Sequence, residues 1–453
     1  MEKTVINGGY LIDPANKVSS KLNLAIENGK IVEISHKTLM GDIEINAEGL
    51  IVSPGFIDCH MHEDHFNEEE NKFQVNIFEY MLRMGVTTAI GGNCGGGPLN
   101  IPNYIEAVKK IGIPINLGLL LPHGTLRKLE GINDKYGNAS PQEIDKMKTR
   151  AKDLIDLGLL GVSFGIRYIP GINRDELMAI SSVCQKDNKV IAAHIRDDAN
   201  NVIESAEEFI SIAKDLSIPV QLSHIGSMAA YGQMDEFLSL VDYYNSSGID
   251  ISMDCYPYNA FSTSIGTTTY DDGFLERYNT DYTSIEIAEG KYKGQRCTEE
   301  IFKELRQSAP GTLTLGHLMK GDEVNKAMAH PNVLVASDGV IHKSQGHPRA
   351  AGTFPRVISQ YVKKEKVINL YQAIEKMTSL PAKRFDINKG SLGIGSDADI
   401  TIFDFDAIKD NASFKQPTLE PDGIDYVLIN GQVAMEKNDI KDYSLGKYVS
   451  NYK

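Results

Sequence analysis

No run of residues in this chain is apolar for long enough to span a bilayer, so a membrane protein is not expected. The opening, Met1-Glu2-Lys3-Thr4-Val5-Ile6-Asn7-Gly8-Gly9, lacks the apolar stretch and small-residue cleavage site of a signal peptide, and a cytoplasmic protein is expected. Clusters of basic residues are also missing. Lys363 to Lys366 is short and broken by Glu365, and the net charge is −15, so nucleic acid is excluded as a partner. Five cysteines (Cys59, Cys94, Cys184, Cys255, Cys297) form an odd set without paired spacing, which argues against a disulfide framework and for free thiols. What the chain does have is core material. With 42% hydrophobic and 24% charged residues it has the balance of a folded globular protein rather than a disordered one.

Two patterns divide the sequence. Residues 1–53 hold short alternating segments (Val5–Ile6, Tyr10–Ile12, Leu22–Glu27, Lys30–Ile34, Ile43–Ala47) that read as small antiparallel strands. Residues 388–453 resume that pattern with Ile400–Phe403 and Tyr426–Leu428, so both ends are expected to form one small β-sandwich domain, closed by a polar tail. Between them, residues 54–387 alternate strand and helix. The apolar runs are Phe56–Cys59, Val86–Gly91, Pro114–Leu121, Gly161–Gly165, Val190–His194, Val220–His224, Asp250–Tyr256 and Val333–Asp338. The intervals are helical: Ser140-Pro141-Gln142-Glu143 is a capping box whose helix runs to a stop at Gly158, and Asn201–Leu216 and Met234–Tyr244 are further helices. Eight β-then-α units predict an α/β fold, a (β/α)8 TIM barrel. One interval, residues 261–332, is too long for a plain connection and reads as an insertion placed to act as a lid.

Reactive residues fall at the predicted strand ends. His60 and His62 follow the first strand, Cys94 the second, His123 the third and Tyr168 the fourth. His194 and His224 end the fifth and sixth, Asp254 and Tyr256 close the seventh, and Asp338 closes the eighth. In a parallel barrel such ends converge on one pocket. His60-Met61-His62 has the alternation that points two imidazoles the same way. Imidazole, thiolate and carboxylate are the ligands zinc accepts. Taken singly, a strand-end histidine is a hydrogen-bonded structural residue, Cys94 a small apolar one and Asp338 a turn residue; together they predict a metal site. The glycines around Cys94 suggest a phosphate loop only superficially, because no Gly-Lys-Ser/Thr follows.

At this point the sequence resembles the amidohydrolase superfamily, and within it the D-aminoacylase group. The resemblance lies in Val52-Ser53-Pro54-Gly55-Phe56-Ile57-Asp58-Cys59-His60-Met61-His62-Glu63-Asp64, Gly92-Asn93-Cys94-Gly95, His123-Gly124-Thr125-Leu126-Arg127, Ser163-Phe164-Gly165-Ile166-Arg167-Tyr168, Asp254-Cys255-Tyr256-Pro257-Tyr258, Ala336-Ser337-Asp338-Gly339 and His347-Pro348-Arg349-Ala350-Ala351-Gly352. It spans the chain apart from the insertion. It implies one tight zinc ion held by Cys94, His194 and His224, and a second, weaker position at His60, His62 and Asp338 that shares Cys94. It also implies that Arg349, Tyr168, Tyr256 and Ser262 grip a substrate carboxylate; His123 is expected either at the pocket wall or behind it, supporting the residues that line it. One position departs: Ser223-His224-Ile225-Gly226 has Gly226 where the group has a lysine that helps hold that carboxylate, and Arg167 is a candidate replacement.

The expected reaction is hydrolysis of the amide of an N-acyl-D-amino acid, a small-molecule substrate. Asp338 is expected to act as general base toward water and general acid toward the leaving nitrogen. Arg349 suits a carboxylate because its planar fork gives paired hydrogen bonds. Two rivals are a cyclic amidase of the dihydroorotase or hydantoinase kind, against which Cys94 in place of a bridging lysine speaks, and an inactive scaffold, against which the complete ligand set speaks. His65, His317, His330, His342 and Cys184 fit no pattern, and the oligomeric state is left open between monomer and homo-oligomer.

Overall fold

The computed structural model describes residues 2–342 and 344–451. Met1, Tyr452 and Lys453, the outermost residues of the expected end domain, lie outside the described residues. Each of the eight predicted apolar runs forms parallel strand, the third being divided at Leu120 into Asn116–Leu119 and Leu121–Pro122, which count together as the third strand. Phe56–Asp58, Val86–Gly91 and Asn116–Leu119 form one sheet. Leu121–Pro122, Gly161–Gly165, Val190–His194, Val220–Leu222, Ile251–Cys255 and Val333–Val335 form another, in chain order.

The two sheets adjoin at both margins. On one side Leu120 N donates to Gly91 O at 3.0 Å and Leu160 N to Leu119 O at 2.8 Å. On the other, Met61 bridges Gly339 in parallel, and Asp338 N donates to His60 O at 2.7 Å. These strands read as continuous apolar runs because both of their faces are covered: every residue of Val86–Gly91 and Gly161–Gly165 is buried.

The helices follow their sequence signals. Pro141–Ile155 starts with the predicted capping box, Ser140 Oγ accepting from Glu143 N, and Gly158 takes the left-handed conformation (φ 93°) just beyond its end. Val202–Leu216 buries Val202, Ala206, Phe209, Ile210 and Ala213 along one stripe. The Phe209 ring meets Phe164 of the fourth parallel strand edge-on at 5.8 Å. Such a buried phenylalanine stabilises the helix–sheet contact by about 1.5–3 kcal/mol.

The chain ends share a seven-stranded sheet ordered Asp439–Ile440, Gln432–Glu436, Ile424–Ile429, Ile400–Phe403, Ile51–Pro54, Tyr10–Asp13, Val18–Lys21. A four-stranded sheet of Lys30–Ser35, Asn23–Glu27, Lys3–Asn7 and Ile43–Asn46 packs beside it, and Leu24 and Ile26 share a core with Ile400, Ile402 and Leu428. Two pairings depart from the expected antiparallel pattern. Lys3–Asn7 runs parallel to Ile43–Asn46, and Tyr10–Asp13 parallel to Ile51–Pro54. Within the expected polar tail, Gly446 and Tyr448 bridge Ile113 and Leu117 beside the third parallel strand.

Residues 261–332 are structured. Phe261–Ser264, Ile285–Ile287 and Leu313–Gly316 form an antiparallel sheet, flanked by the helices Glu299–Ser308 and Gly321–Ala329. Among the described residues no helix is long and apolar enough to cross a membrane.

Candidate metal centre and active site

The second parallel strand ends in Gly91-Gly92-Asn93-Cys94-Gly95, a loop whose glycines serve close packing. A β-carbon on Gly165 would lie 2.1 Å from the Cys94 carbonyl oxygen, and one on Gly95 would lie 2.7 Å from Gly165 N. Ser163 Oγ ties the loop down by accepting from Gly95 N at 3.1 Å and donating to Gly92 O, and Gly92 N donates to Glu63 Oε2 at 2.7 Å. The phosphate-loop alternative thus has no role: the loop presses against the fourth parallel strand.

The loop delivers Cys94 into a ring of histidines. Its Sγ is 3.4 Å from His60 Nε2, 3.4 Å from His224 Nε2 and 4.0 Å from His194 Nδ1. Asp338 Oδ1 stands 3.1 Å from His62 Nε2 and 3.5 Å from His60 Nε2. Two ligand groups result, His60–His62–Cys94–Asp338 and Cys94–His194–His224, and within each all ligand atoms lie within 4.8 Å of one another. Cys94 belongs to both. Three of these residues, Cys94 (φ 52°), His224 (φ 34°) and Asp338 (φ 47°), hold the left-handed conformation without being glycine. Such strain persists only where the surroundings over-determine it, and it gathers at functional sites.

The electrostatics suit a cation. Burial opposes ionisation of the Cys94 thiol, but the neighbouring His60 and His224 imidazoles and hydrogen bonds from His194 and His224 overcome it and hold the thiol well below its usual range. Burial likewise opposes a charged Asp338, yet Arg349, His62 and the other imidazoles keep its carboxyl far below the ordinary carboxylate range. The donor set is therefore imidazole, thiolate and carboxylate in the forms a divalent metal binds, and these residues fit such an ion.

Two aspartates orient the histidines, a role not assigned to them from the sequence. Asp254 Oδ1 accepts His224 N at 2.7 Å and lies 3.3 Å from His60 Nδ1, while Oδ2 accepts from Gln221 Nε2 at 2.9 Å. Asp58 Oδ1 accepts His60 N at 3.1 Å and Ser337 N at 3.0 Å, joining the ends of the first and eighth strands. Ser227 Oγ lies 3.0 Å from His224 Nδ1, leaving Nε2 turned to Cys94. Partners of this kind fix ring orientation and ligand basicity at metal sites.

A cavity of about 510 Å³ opens on this centre, with His62, Cys94, Tyr168, Ser262, Asp338 and Arg349 in its wall. Thr263, Ser264, Thr267 and Leu313 of the 261–332 segment contribute to the same wall. Arg349 is almost wholly buried. Its Nη2 is 2.9 Å from Asp338 Oδ2 and its guanidinium lies over the Tyr256 ring at 4.6 Å, yet its Nε and Nη1 have no partner. Ser262 Oγ is likewise buried and unpaired. Tyr168 packs edge-on against His194 at 4.6 Å. Tyr256 joins His194, His224, Ser262 and Arg349 around a small recess beside the cavity.

Two expected residues stand apart. His123 is fully buried, donates to Glu176 Oε1 at 2.8 Å and packs on Phe164; it does not line the cavity itself but stands behind Gly124 and Arg127, which do. Arg167 is held by Asp197 at 2.5 Å and does not line the cavity either. At Gly226, a β-carbon would meet Cys255 Sγ and Met319 Cε, both at 3.0 Å, so sulfur-bearing side chains fill the place of a longer residue.

Parallel strands that end in imidazoles, a thiolate and a carboxylate around a substrate-sized cavity define a metal-dependent hydrolase. Comparison with known proteins agrees. Sequence models of the amidohydrolase family match residues 51–222 and 305–435. The D-aminoacylase of Alcaligenes xylosoxydans xylosoxydans is 27% identical over 98% of this chain and 97% of its own. The N-acyl-D-glutamate deacylase of the same organism is 28% identical over 94% of this chain and 92% of its own. A crystal structure of N-acyl-D-glutamate deacylase from Bordetella bronchiseptica, complexed with zinc and a phosphonate inhibitor, superposes with a TM-score of 0.88 at 27% identity, covering 99% of each chain. The chain belongs to the amidohydrolase family, and within it is similar to the D-aminoacylases.

Proposed function

We propose that this protein hydrolyses the amide bond of an N-acyl-D-amino acid, releasing a carboxylic acid and the free D-amino acid. The observation that carries the reading is the pairing of the Cys94-centred ligand set with the buried, unpartnered donors of Arg349 and Ser262 in one cavity. Such donors are costly unless a ligand satisfies them, and a carboxylate is the group that matches them. The D-aminoacylase and N-acyl-D-glutamate deacylase relatives support the same substrate class.

Zinc is the metal this reading assigns: Cys94, His194 and His224 would hold one ion tightly, and His60, His62 and Asp338, sharing Cys94, a second more weakly. When bound, the metal supplies Lewis acidity at the scissile carbonyl and lowers the pKa of water. Asp338, ionised and fixed by Arg349 and His62, accepts the proton of the attacking water and returns it to the leaving nitrogen. Arg349, Tyr168, Tyr256 and Ser262, which surround one recess, receive the α-carboxylate. We read the two parallel sheets as one closed (β/α)8 barrel over residues 54–387, carrying the 261–332 segment as a partial cover. The sheets of residues 1–53 and 388–453 are read as a separate β-sandwich.

A screen of N-acetyl, N-formyl and N-succinyl amino acids in both configurations, with zinc measured on the same sample, tests the reading. Turnover of D-configured linear amides by zinc-containing enzyme is expected. Hydrolysis of hydantoins or dihydropyrimidines with none of linear amides would overturn it in favour of a cyclic amidase, and zinc-free protein without response to added metal in favour of a scaffold.

A further inference from the structure

We propose that the substrate carries a second anionic group, recognised by Lys128 and Lys135 in the cavity wall. The proposal rests on the functional reading above and deepens it. The cavity that holds His62, Cys94, Asp338 and Arg349 is also lined by Lys128, in the last turn of the short helix His123–Leu129, and by Asn133 and Lys135 just beyond it. Among the described residues, neither lysine has a carboxylate within ion-pair distance.

The acidic groups nearest in sequence or space are already engaged. Glu130 is paired with Arg150 at 2.5 Å, and Asp271 accepts from Tyr136 Oη at 2.6 Å and from Arg306 at 3.0 Å, so Lys135, beyond ion-pair distance, only adds to the attraction that holds the Asp271 carboxyl below its usual range. Asp134 accepts from Tyr136 N at 2.9 Å. Lys135 is left over the Tyr136 ring, its Nζ 5.0 Å from the centroid.

Lys135 also sits on a braced loop that continues from the helix carrying Lys128. Buried Arg127 pairs with Glu176 at 3.1 Å and donates to the carbonyls of Asp134 (3.1 Å) and Gly137 (2.8 Å), while Gly171 N donates to Lys135 O at 2.9 Å. His123, which binds the same Glu176, completes the brace. Loops fixed in this way present charges at little ordering cost. With the amide at the metal centre and the α-carboxylate at Arg349, the substrate has two remaining arms, the amino-acid side chain and the acyl chain. Both sources of negative charge, an acidic side chain or a dicarboxylic acyl group, offer the same carboxylate to the lysines.

Isosteric pairs separate them. The zinc-loaded enzyme is assayed on N-acetyl-D-glutamate against N-acetyl-D-glutamine, and on N-succinyl-D-leucine against its monoamide. The expected result is a kcat/KM preference of about tenfold or more for the charged member of one pair, which identifies the arm. That ratio should fall to near one in the Lys128→Met/Lys135→Met variant and should shrink with added salt. Lys135→Glu should turn the preference toward the neutral member. Charged-to-neutral ratios within twofold for both pairs in the parent enzyme, or a ratio unmoved by the double substitution, would overturn the proposal while leaving amide hydrolysis standing. Absence of turnover on all four compounds and on N-acetyl-D-leucine would instead count against the functional reading itself.

Discussion

Replacing Arg349 by methionine tests the carboxylate site most directly. The side chain is 2% exposed, and two of its nitrogens, Nε and Nη1, lack any partner. Methionine keeps the apolar stem against Tyr256 and removes both donors. A hydrogen bond between charged groups contributes about 1.5–3 kcal/mol, so two of them at the low end give about 3 kcal/mol, or roughly 10²-fold in kcat/KM. The substitution also strips Asp338 of its 2.9 Å ion pair, which lowers the rate on every substrate. The informative quantity is therefore a ratio, kcat/KM for an N-acetyl-D-amino acid over that for its carboxamide. The parent enzyme should favour the carboxylate by roughly 10²-fold, because the amide leaves buried donors poorly matched. In Arg349→Met the ratio should collapse to a few-fold. A variant that still discriminates as the parent does would remove Arg349 from carboxylate recognition, however large its overall loss of rate.

Asp338→Asn should lower kcat by roughly 10²–10⁴-fold while the protein keeps the metal held through Cys94, His194 and His224; full activity in a metal-counted sample would refute the proton-transfer role. Asp254→Asn puts an amide where one carboxylate serves His224 N, His60 and Gln221, and should weaken metal binding by about 10–100-fold in a chelator competition. Affinity within twofold of the parent would show that Asp254 does not tune the centre. Gly165→Ala sets a methyl group 2.1 Å from the Cys94 carbonyl oxygen, so the Cys94 loop must move. A loss of about 1–3 kcal/mol in stability and a lower metal content are expected from melting curves and metal analysis, and neither should change if the loop has slack.

Much of the fold was legible because two-sided burial leaves an unambiguous mark. Strands such as Val86–Gly91 are buried and uncharged throughout and alternate with amphipathic helices, a pattern with few other solutions. The candidate ligands were legible for a related reason: parallel strands bring their ends together, so chemistry at Cys94, His194, His224 and Asp338 could be pooled before any distance was known. The roles of Asp58 and Asp254 were not, since a buried aspartate chooses its partners in three dimensions. Asp254 reaches His60, which belongs to the first strand, as well as His224, which belongs to the sixth. His123 was left open between two places for a similar reason. It follows a strand as the ligands do, but Glu176, in a later helix, draws its ring into a buried network. Arg349 opens the helix Arg349–Arg356 with no periodic signal of its own, and only the family resemblance marked it. The short strands of residues 261–332 are separated by turns, 3-10 segments and short helices, and their pairing is antiparallel and non-sequential, which no local pattern announces.

The seven-stranded sheet sets an order on biosynthesis. Ile51–Pro54 lies between Tyr10–Asp13 and Ile400–Phe403, so a segment translated early waits for one translated late before its edge is covered. Until then a nascent chain carries an open strand edge of the sort that invites pairing with other molecules. Products of premature termination before residue 400 would keep that edge for good, and they belong among the species a cell must clear.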